Sequence, residues 1–198
     1  MADWMTSLME QGGYLAIAFL MFLENVFPPI PSEVVMPLAG YAAQQGEQDL
    51  ALVILAGSAG SLAGAVFWYA VGRWIGRRRL KGFAGRHGRW LTLSPRDVDR
   101  ASEWFDRHGG LAVLFGRLVP GVRTLISTPA GVAEMGVPRF LAFTSAGTAL
   151  WTALLASAGW LLGESYDRVS DYIDPVSNVV VGVILLAYLY RAATFGRR

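Results

Sequence analysis

The chain of 198 residues is 54% hydrophobic and only 16% charged, against about 25% charge in soluble domains, and its mean hydropathy is +0.40. Without cysteine and with only two histidines, His87 and His108, it excludes disulfides, thiol catalysis and Cys- or His-rich metal sites, and its apolar content excludes disorder. The net charge of +2 hides an asymmetry: Arg73 to Arg107 holds ten of the 17 basic residues against four acids, +6, leaving −4 elsewhere, which is a pattern of membrane topology and not of nucleic-acid binding.

In chain order, Gly12 to Leu23 is an apolar run of 12 residues that stops at Glu24, before Pro28, Pro29 and Pro31. Crossing roughly 30 Å of hydrocarbon takes about 20 helical residues. Residues 12–43 therefore read as a re-entrant hairpin, with the prolines setting its turn. Residues 50–74 read as a transmembrane helix, carried by 23 uncharged residues from Leu50 to Gly72. Residues 75–108 read as a basic cytoplasmic loop with one amphipathic helix. Ser94-Pro95-Arg96-Asp97 gives that helix its cap, N1 proline and early acid. Val98, Ala101, Trp104 and Phe105 form its apolar face, and Gly109 its stop.

A second short apolar run, Gly109 to Gly116, ends at Arg117 and is followed by Pro120, Gly121, Arg123 and Pro129. Residues 109–136 read as a second re-entrant hairpin, turned at Pro120 and Gly121. Residues 139–163 are a second transmembrane helix, with 24 uncharged residues from Phe140 to Gly163. Residues 175–191 are a third. No signal peptide is expected, since the first residues lack a basic region.

The basic loop and the tail Arg191, Arg197, Arg198 face the cytoplasm by charge, and the acidic loops Gln44–Asp49 and Glu164–Asp174 face outward. Parity then opens the two hairpins to opposite sides. The two hairpin-plus-span units also match in sequence. Ser58-Ala59-Gly60 recurs as Ser145-Ala146-Gly147, Gly72 as Gly159 and Gly76 as Gly163, all at an offset of 87. The fold class expected is an all-α polytopic membrane protein: an inverted repeat of hairpin plus helix, with one further C-terminal helix.

The hairpins carry Glu24 and Glu33 in the first and Arg117 and Arg123 in the second. A charge at membrane depth costs about 3 kcal/mol on insertion scales, so four of them imply pairing or a wet cavity. One reading is a structural Glu–Arg clamp. The other is an anion site with a proton switch. The guanidinium fork suits phosphate, and desolvation favours the neutral form of a carboxylate, so it can take a proton near neutral pH. Asn25 and Ser32 could add polar contacts, Glu134 reads as a solvated or Arg139-paired acid, and Trp68, Trp74, Trp151 and Trp160 as interfacial or packing aromatics.

At these motifs the chain resembles the DedA family of bacterial inner-membrane proteins, related to the eukaryotic scramblases with a VTT domain. The resemblance rests on Glu24-Asn25-Val26-Phe27-Pro28-Pro29-Ile30-Pro31-Ser32-Glu33, Pro37-Leu38-Ala39-Gly40, Gly72-Arg73-Trp74-Ile75-Gly76 and Phe115-Gly116-Arg117-Leu118-Val119-Pro120-Gly121-Val122-Arg123 with Ala130-Gly131. It implies two functional acids and two functional arginines, which fall on Glu24, Glu33, Arg117 and Arg123. It also implies lipid transport driven by the proton motive force. Many members have Gly-Asp where this chain has Ser32-Glu33, so the acid is kept one methylene longer.

The expected function is transport of a phosphate-bearing lipid, first among them undecaprenyl phosphate, across the bacterial inner membrane. Arg117 and Arg123 would hold the phosphate, and Glu24 and Glu33, in the same substrate site, would exchange protons and gate the arginines. A phosphatidylethanolamine or other phospholipid flippase or scramblase is the second reading, and a structural or channel-forming protein the third. No catalytic residue, cofactor, metal or nucleic acid is expected, and a homo-oligomer is compatible with this reading. An enzyme such as a lipid phosphatase usually needs a histidine, and both histidines lie in the basic loop.

Overall fold

The computed structural model describes residues 2–27, 32–91 and 95–163, and all regular structure among them is helical. Pro28, Pro29, Pro31 and everything after residue 163, including the third expected span at 175–191, lie outside the described residues. The helices are α1 (Ala2–Val26), α2 (Ser32–Gln44), α3 (Leu50–Leu91), α4 (Pro95–Gly116), α5 (Val122–Leu125), α6 (Ser127–Val132) and α7 (Val137–Leu162). α1 bends at Gly13, whose φ is 53°.

Two stretches are long and apolar enough to cross a membrane, Leu50–Phe83 in α3 and Val137–Leu162. Only 33% and 39% of their apolar windows are buried inside the molecule, and Leu55, Phe67, Leu150 and Leu154 on them are exposed. Apolar helix surface left outside the packed interior is surface for lipid to cover.

The sequence predicts a loop with one helix at 75–108, and here the structure differs. α3 continues past its apolar part to Leu91, with Gly76 at φ 64°. α4 starts at Pro95 as the cap predicts but does not stop at Gly109. The ring of Phe105 and the sulfur of Met135 crowd Gly109, and the ring of Phe143 crowds Gly110. These glycines admit close neighbours instead of ending the helix, so packing overrides the local stop signal. The buried stripe of α4 is Val98, Ser102 and Phe105, while Ala101 and Trp104 are exposed. Arg77–Asp106 and Lys81–Asp99, each at 2.8 Å, tie the α3 extension to α4.

α1 packs on α3, α2 on α7, α6 on α3, α4 on α7, and α3 and α7 lie against each other. Ile17, Leu20, Met21, Val35, Met36 and Leu155 form one core, and Tyr69, Val113, Ala130 and Phe140 another. The α2–α7 contact is made at glycine: a methyl at Gly40 would strike the Ala156 carbonyl and one at Gly159 that of Pro37. The α3–α6 contact repeats this, with Gly131 on the Tyr69 carbonyl and Gly72 on that of Thr128. Gly60 lies on Ala18 of α1, and Gly147 lies on Leu114 of α4 and on Arg117 just beyond it. Small residues let membrane helices approach backbone to backbone.

Gly159→Ala and Gly72→Ala are therefore expected to push helices apart and lower stability by about 1–3 kcal/mol each. Gly82→Ala, where nothing lies within 4 Å, is the control and leaves it unchanged or slightly raised. Melting temperature in detergent checks both.

Candidate functional site

Helical spacing carries the buried stripe Ile17, Leu20 and Met21 of α1 on to Glu24 and Asn25. Glu24 is 3% exposed and Asn25 1%. Across the undescribed prolines, α2 opens on Ser32, fully buried, and Glu33. Glu33 sits in the first turn of α2, where the helix dipole favours an acid. From the other side α4 ends at Gly116 and delivers Arg117, a cation just beyond a helix C-terminus. After Pro120 the chain turns at Gly121, with φ 77°, into the single turn α5, which buries Arg123. A positive φ there suits glycine because no Cβ opposes it. α6 then brings in Ser127, fully buried.

The four charged residues picked out by sequence thus converge. Arg123 Nη2 donates to Glu24 Oε1 and lies 3.7 Å from Glu33 Oε1. One arginine is shared by two carboxylates. Arg117 has different company: Nη1 donates to Asn25 Oδ1 at 3.2 Å and Nη2 to Ser127 Oγ at 2.8 Å, both neutral oxygens. Among the described residues, no carboxylate lies at ion-pair distance from Arg117. Its charge is 2% exposed, and burying a charge without a counter-charge is costly.

Asn25 is the hub. Its Nδ2 donates to Ser61 Oγ at 2.7 Å, to the Met21 carbonyl at 3.2 Å and to Glu24 Oε2 at 3.3 Å. Its backbone carbonyl accepts from Trp68 Nε1 at 2.9 Å. Ser32 Oγ donates to Glu33 Oε2 at 3.4 Å. The Arg123 guanidinium lies 5.5 Å from the Trp151 ring centroid, a cation–π distance.

The sequence reading of Trp68 and Trp151 as interfacial or packing residues misses these contacts; Trp74, 75% exposed, fits it. Ser61 and Ser127 were not singled out either, and nothing in a serine among apolar residues signals a bonding partner. Glu134 is exposed, and Arg139 turns to the Asp106 carbonyl instead, at 3.5 Å. A cavity of about 320 Å³ lies apart from these charges, among Ile75, Leu80, Val98, Phe105, Pro129 and Val132. No charged side chain lines it, so the chemistry rests with the Glu–Arg cluster.

The VTT domain family model matches residues 30–161. A Lactococcus lactis subsp. cremoris protein named "Alkaline phosphatase-like protein" is 37% identical over 100% of this chain and 93% of its own length. "Undecaprenyl phosphate transporter A" of Staphylococcus aureus is 33% identical, over 100% of this chain and 98% of that one. The Bacillus subtilis protein of the same name is 31% identical over 96% and 92%. No solved structure matches the chain. With the apolar helices and the two-thirds of its length that the domain covers, the chain is a membrane protein belonging to the VTT-domain (DedA) family.

Proposed function

We propose that this protein transports a phosphate-bearing lipid, with undecaprenyl phosphate the first candidate, from the outer to the inner leaflet of the bacterial inner membrane. The observation that carries this is Arg117: a buried guanidinium whose hydrogen bonds go only to neutral oxygens has no carboxylate bonded to it, and a phosphate would supply charge-assisted bonds there. Two relatives named for undecaprenyl phosphate transport support the same lipid. Phosphatase chemistry finds no support at the cluster. His87 falls on the α3 extension, and His108 is exposed beside the Trp104 ring.

Arg123 is the moving part of the proposal. With Glu24 and Glu33 ionised, they hold it. A proton on Glu24 weakens that hold and frees Arg123 for the phosphate beside Arg117. Loss of the proton returns Arg123 to the acids, and the phosphate leaves. Transport would thus draw on the proton gradient. Glu24→Gln should leave Arg123 held by Glu33 alone, so the phosphate binds more tightly and its affinity follows pH less steeply, while turnover is lost. Binding and flux assays at several pH values check this; a Gln variant with wild-type flux would contradict it.

The same proposal takes residues 12–43 and 109–136 as opposed re-entrant hairpins in an inverted repeat. Support comes from the contacts in pairs: Gly40 with Gly159 and Gly131 with Gly72, then Gly60 on α1 and Gly147 on α4. The offset pair Gly76 and Gly163 also share positive φ, 64° and 52°. The basic α3 extension and α4 would be cytoplasmic, as would the C-terminus. Gln45 and Arg100 are both exposed, and single cysteines there should label from opposite sides with an impermeant reagent. Labelling of both from one side would contradict the topology.

The direct experiment is reconstitution. Proteoliposomes should translocate a fluorescent polyprenyl phosphate faster than protein-free vesicles, and the Arg117→Ala protein should not. Faster movement of phosphatidylethanolamine with no effect on the polyprenyl phosphate would transfer the function to phospholipid.

A further inference from the structure

Around the arginines, four buried donors take no hydrogen-bond partner among the described residues: Arg117 Nε, the Thr144 and Thr148 hydroxyls, and Trp151 Nε1. Thr144, Thr148 and Arg117 are 0%, 3% and 2% exposed. Native interiors satisfy nearly all such groups, and a buried donor left bare is destabilising. Two more such atoms, Gln48 Oε1 and Arg77 Nε, lie away from the charged cluster; what sets these four apart is their common position beside the arginines.

Their common position follows from α7. At 3.6 residues per turn, Thr144, Gly147, Thr148, Trp151 and Thr152 fall within about 140° of one helix face. Gly147 lies so close to Arg117 that a methyl there would come within 2.8 Å of the Arg117 Cβ. One turn on, the Trp151 ring meets the Arg123 guanidinium. The opposite wall is α3. The Ser58–Thr152 hydrogen bond at 2.7 Å and the Tyr69–Phe140 ring stack at 4.2 Å fix α3 and α7 antiparallel. In that register Thr148 and Thr144 stand level with Ser61 to Ala65, where Asn25 bonds Ser61 and passes its oxygen to Arg117. Thr148 also stands 87 residues after Ser61, the offset of the repeated glycines. Ser61 has found its partner in Asn25; the hydroxyl of its counterpart Thr148 has none among the described residues.

The chemistry of the missing partner can be read from the donors. Arg Nε and Trp Nε1 can only donate, so the partner is an acceptor. It sits beside two guanidinium groups, which favour an anion over a neutral acceptor. Several donors from different directions suit a group with three terminal oxygens, which a phosphate monoester has. We propose that Thr144, Thr148, Trp151 and Arg117 Nε form one oxyanion cradle on α7 that receives the terminal phosphate of a long-chain alcohol phosphate. This rests on the phosphate-lipid reading above and adds to it the residues of α7 and the monoester class.

Farnesyl phosphate, titrated calorimetrically into the full chain in detergent with farnesol as control, tests it. Thr148→Val and Thr144→Val should each weaken binding roughly tenfold, the effect of one lost bond to a charged group. Their ligand-free melting temperatures should be unchanged or raised, because valine replaces a hydroxyl that had no partner. Thr148→Ser should keep most of the affinity. Wild-type affinity in both valine variants, or a fall in ligand-free melting temperature accompanying any loss, would overturn the cradle and leave the arginine site standing. A folded wild type that ignores farnesyl phosphate would overturn the phosphate reading, and the cradle with it.

Discussion

Arg123→Ala is expected to lower stability by about 3–5 kcal/mol, the cost of stripping one partner from a buried ion pair. Glu24, 3% exposed, would be left a buried carboxylate with no cation bonded to it, and staying charged or taking up a proton each cost stability. Glu33 has some access to solvent, with 15% of its side chain exposed, and suffers less. The result is a protein that melts early or is found only in its inserted, unpurifiable form. Glu24→Gln placed on top should recover most of the loss, because the buried negative charge is gone. Arg123→Lys keeps the charge but gives up the fork and the planar face over Trp151, and should fall between. Melting temperatures of the four proteins, read as a double-mutant cycle, check this. Additive effects would mean that the pair does not couple.

Arg117 predicts the opposite balance of effects. Its hydrogen-bond partners are the neutral oxygens of Asn25 and Ser127, so Arg117→Ala breaks no bonded ion pair. Stability should change less than for Arg123→Ala. Affinity should change more: losing charge-assisted bonds worth about 1.5–3 kcal/mol weakens phosphate-lipid binding roughly 10- to 100-fold at about 1.4 kcal/mol per tenfold. Arg117→Lys should rescue poorly, because lysine cannot span Asn25 and Ser127 at once. Binding of farnesyl phosphate with melting temperature measured alongside separates the two arginines. If Arg117→Ala cost stability while affinity held, both arginines would be staples.

The charged cluster was legible in the sequence because ionisable groups at membrane depth are expensive, and Glu24, Glu33, Arg117 and Arg123 do converge. The paired glycines were legible as spacing: the offset of 87 found Gly60, Gly72 and Gly147, Gly159, all of which make close helix contacts. Helix ends were less so. Gly109 carries a stop signal by local rules, yet α4 runs through it to Gly116, with the Phe143 ring of α7 packed against Gly110. Ser61, Ser127, Thr144, Thr148 and Trp151 were not legible as site residues. Hydroxyls and tryptophans are common in membrane helices, and which of them meet a charge depends on helix register, which composition does not carry.

The measurement closest to the central claim, that Arg117 counters a lipid phosphate, is the lipid that purifies with the protein. Wild type and Arg117→Ala, extracted in gentle detergent and matched for melting temperature, would be analysed by mass spectrometry of bound lipid. The account predicts a polyprenyl phosphate enriched on wild type and depleted at least tenfold on Arg117→Ala. The same bound lipids in the same amounts on both proteins would contradict it.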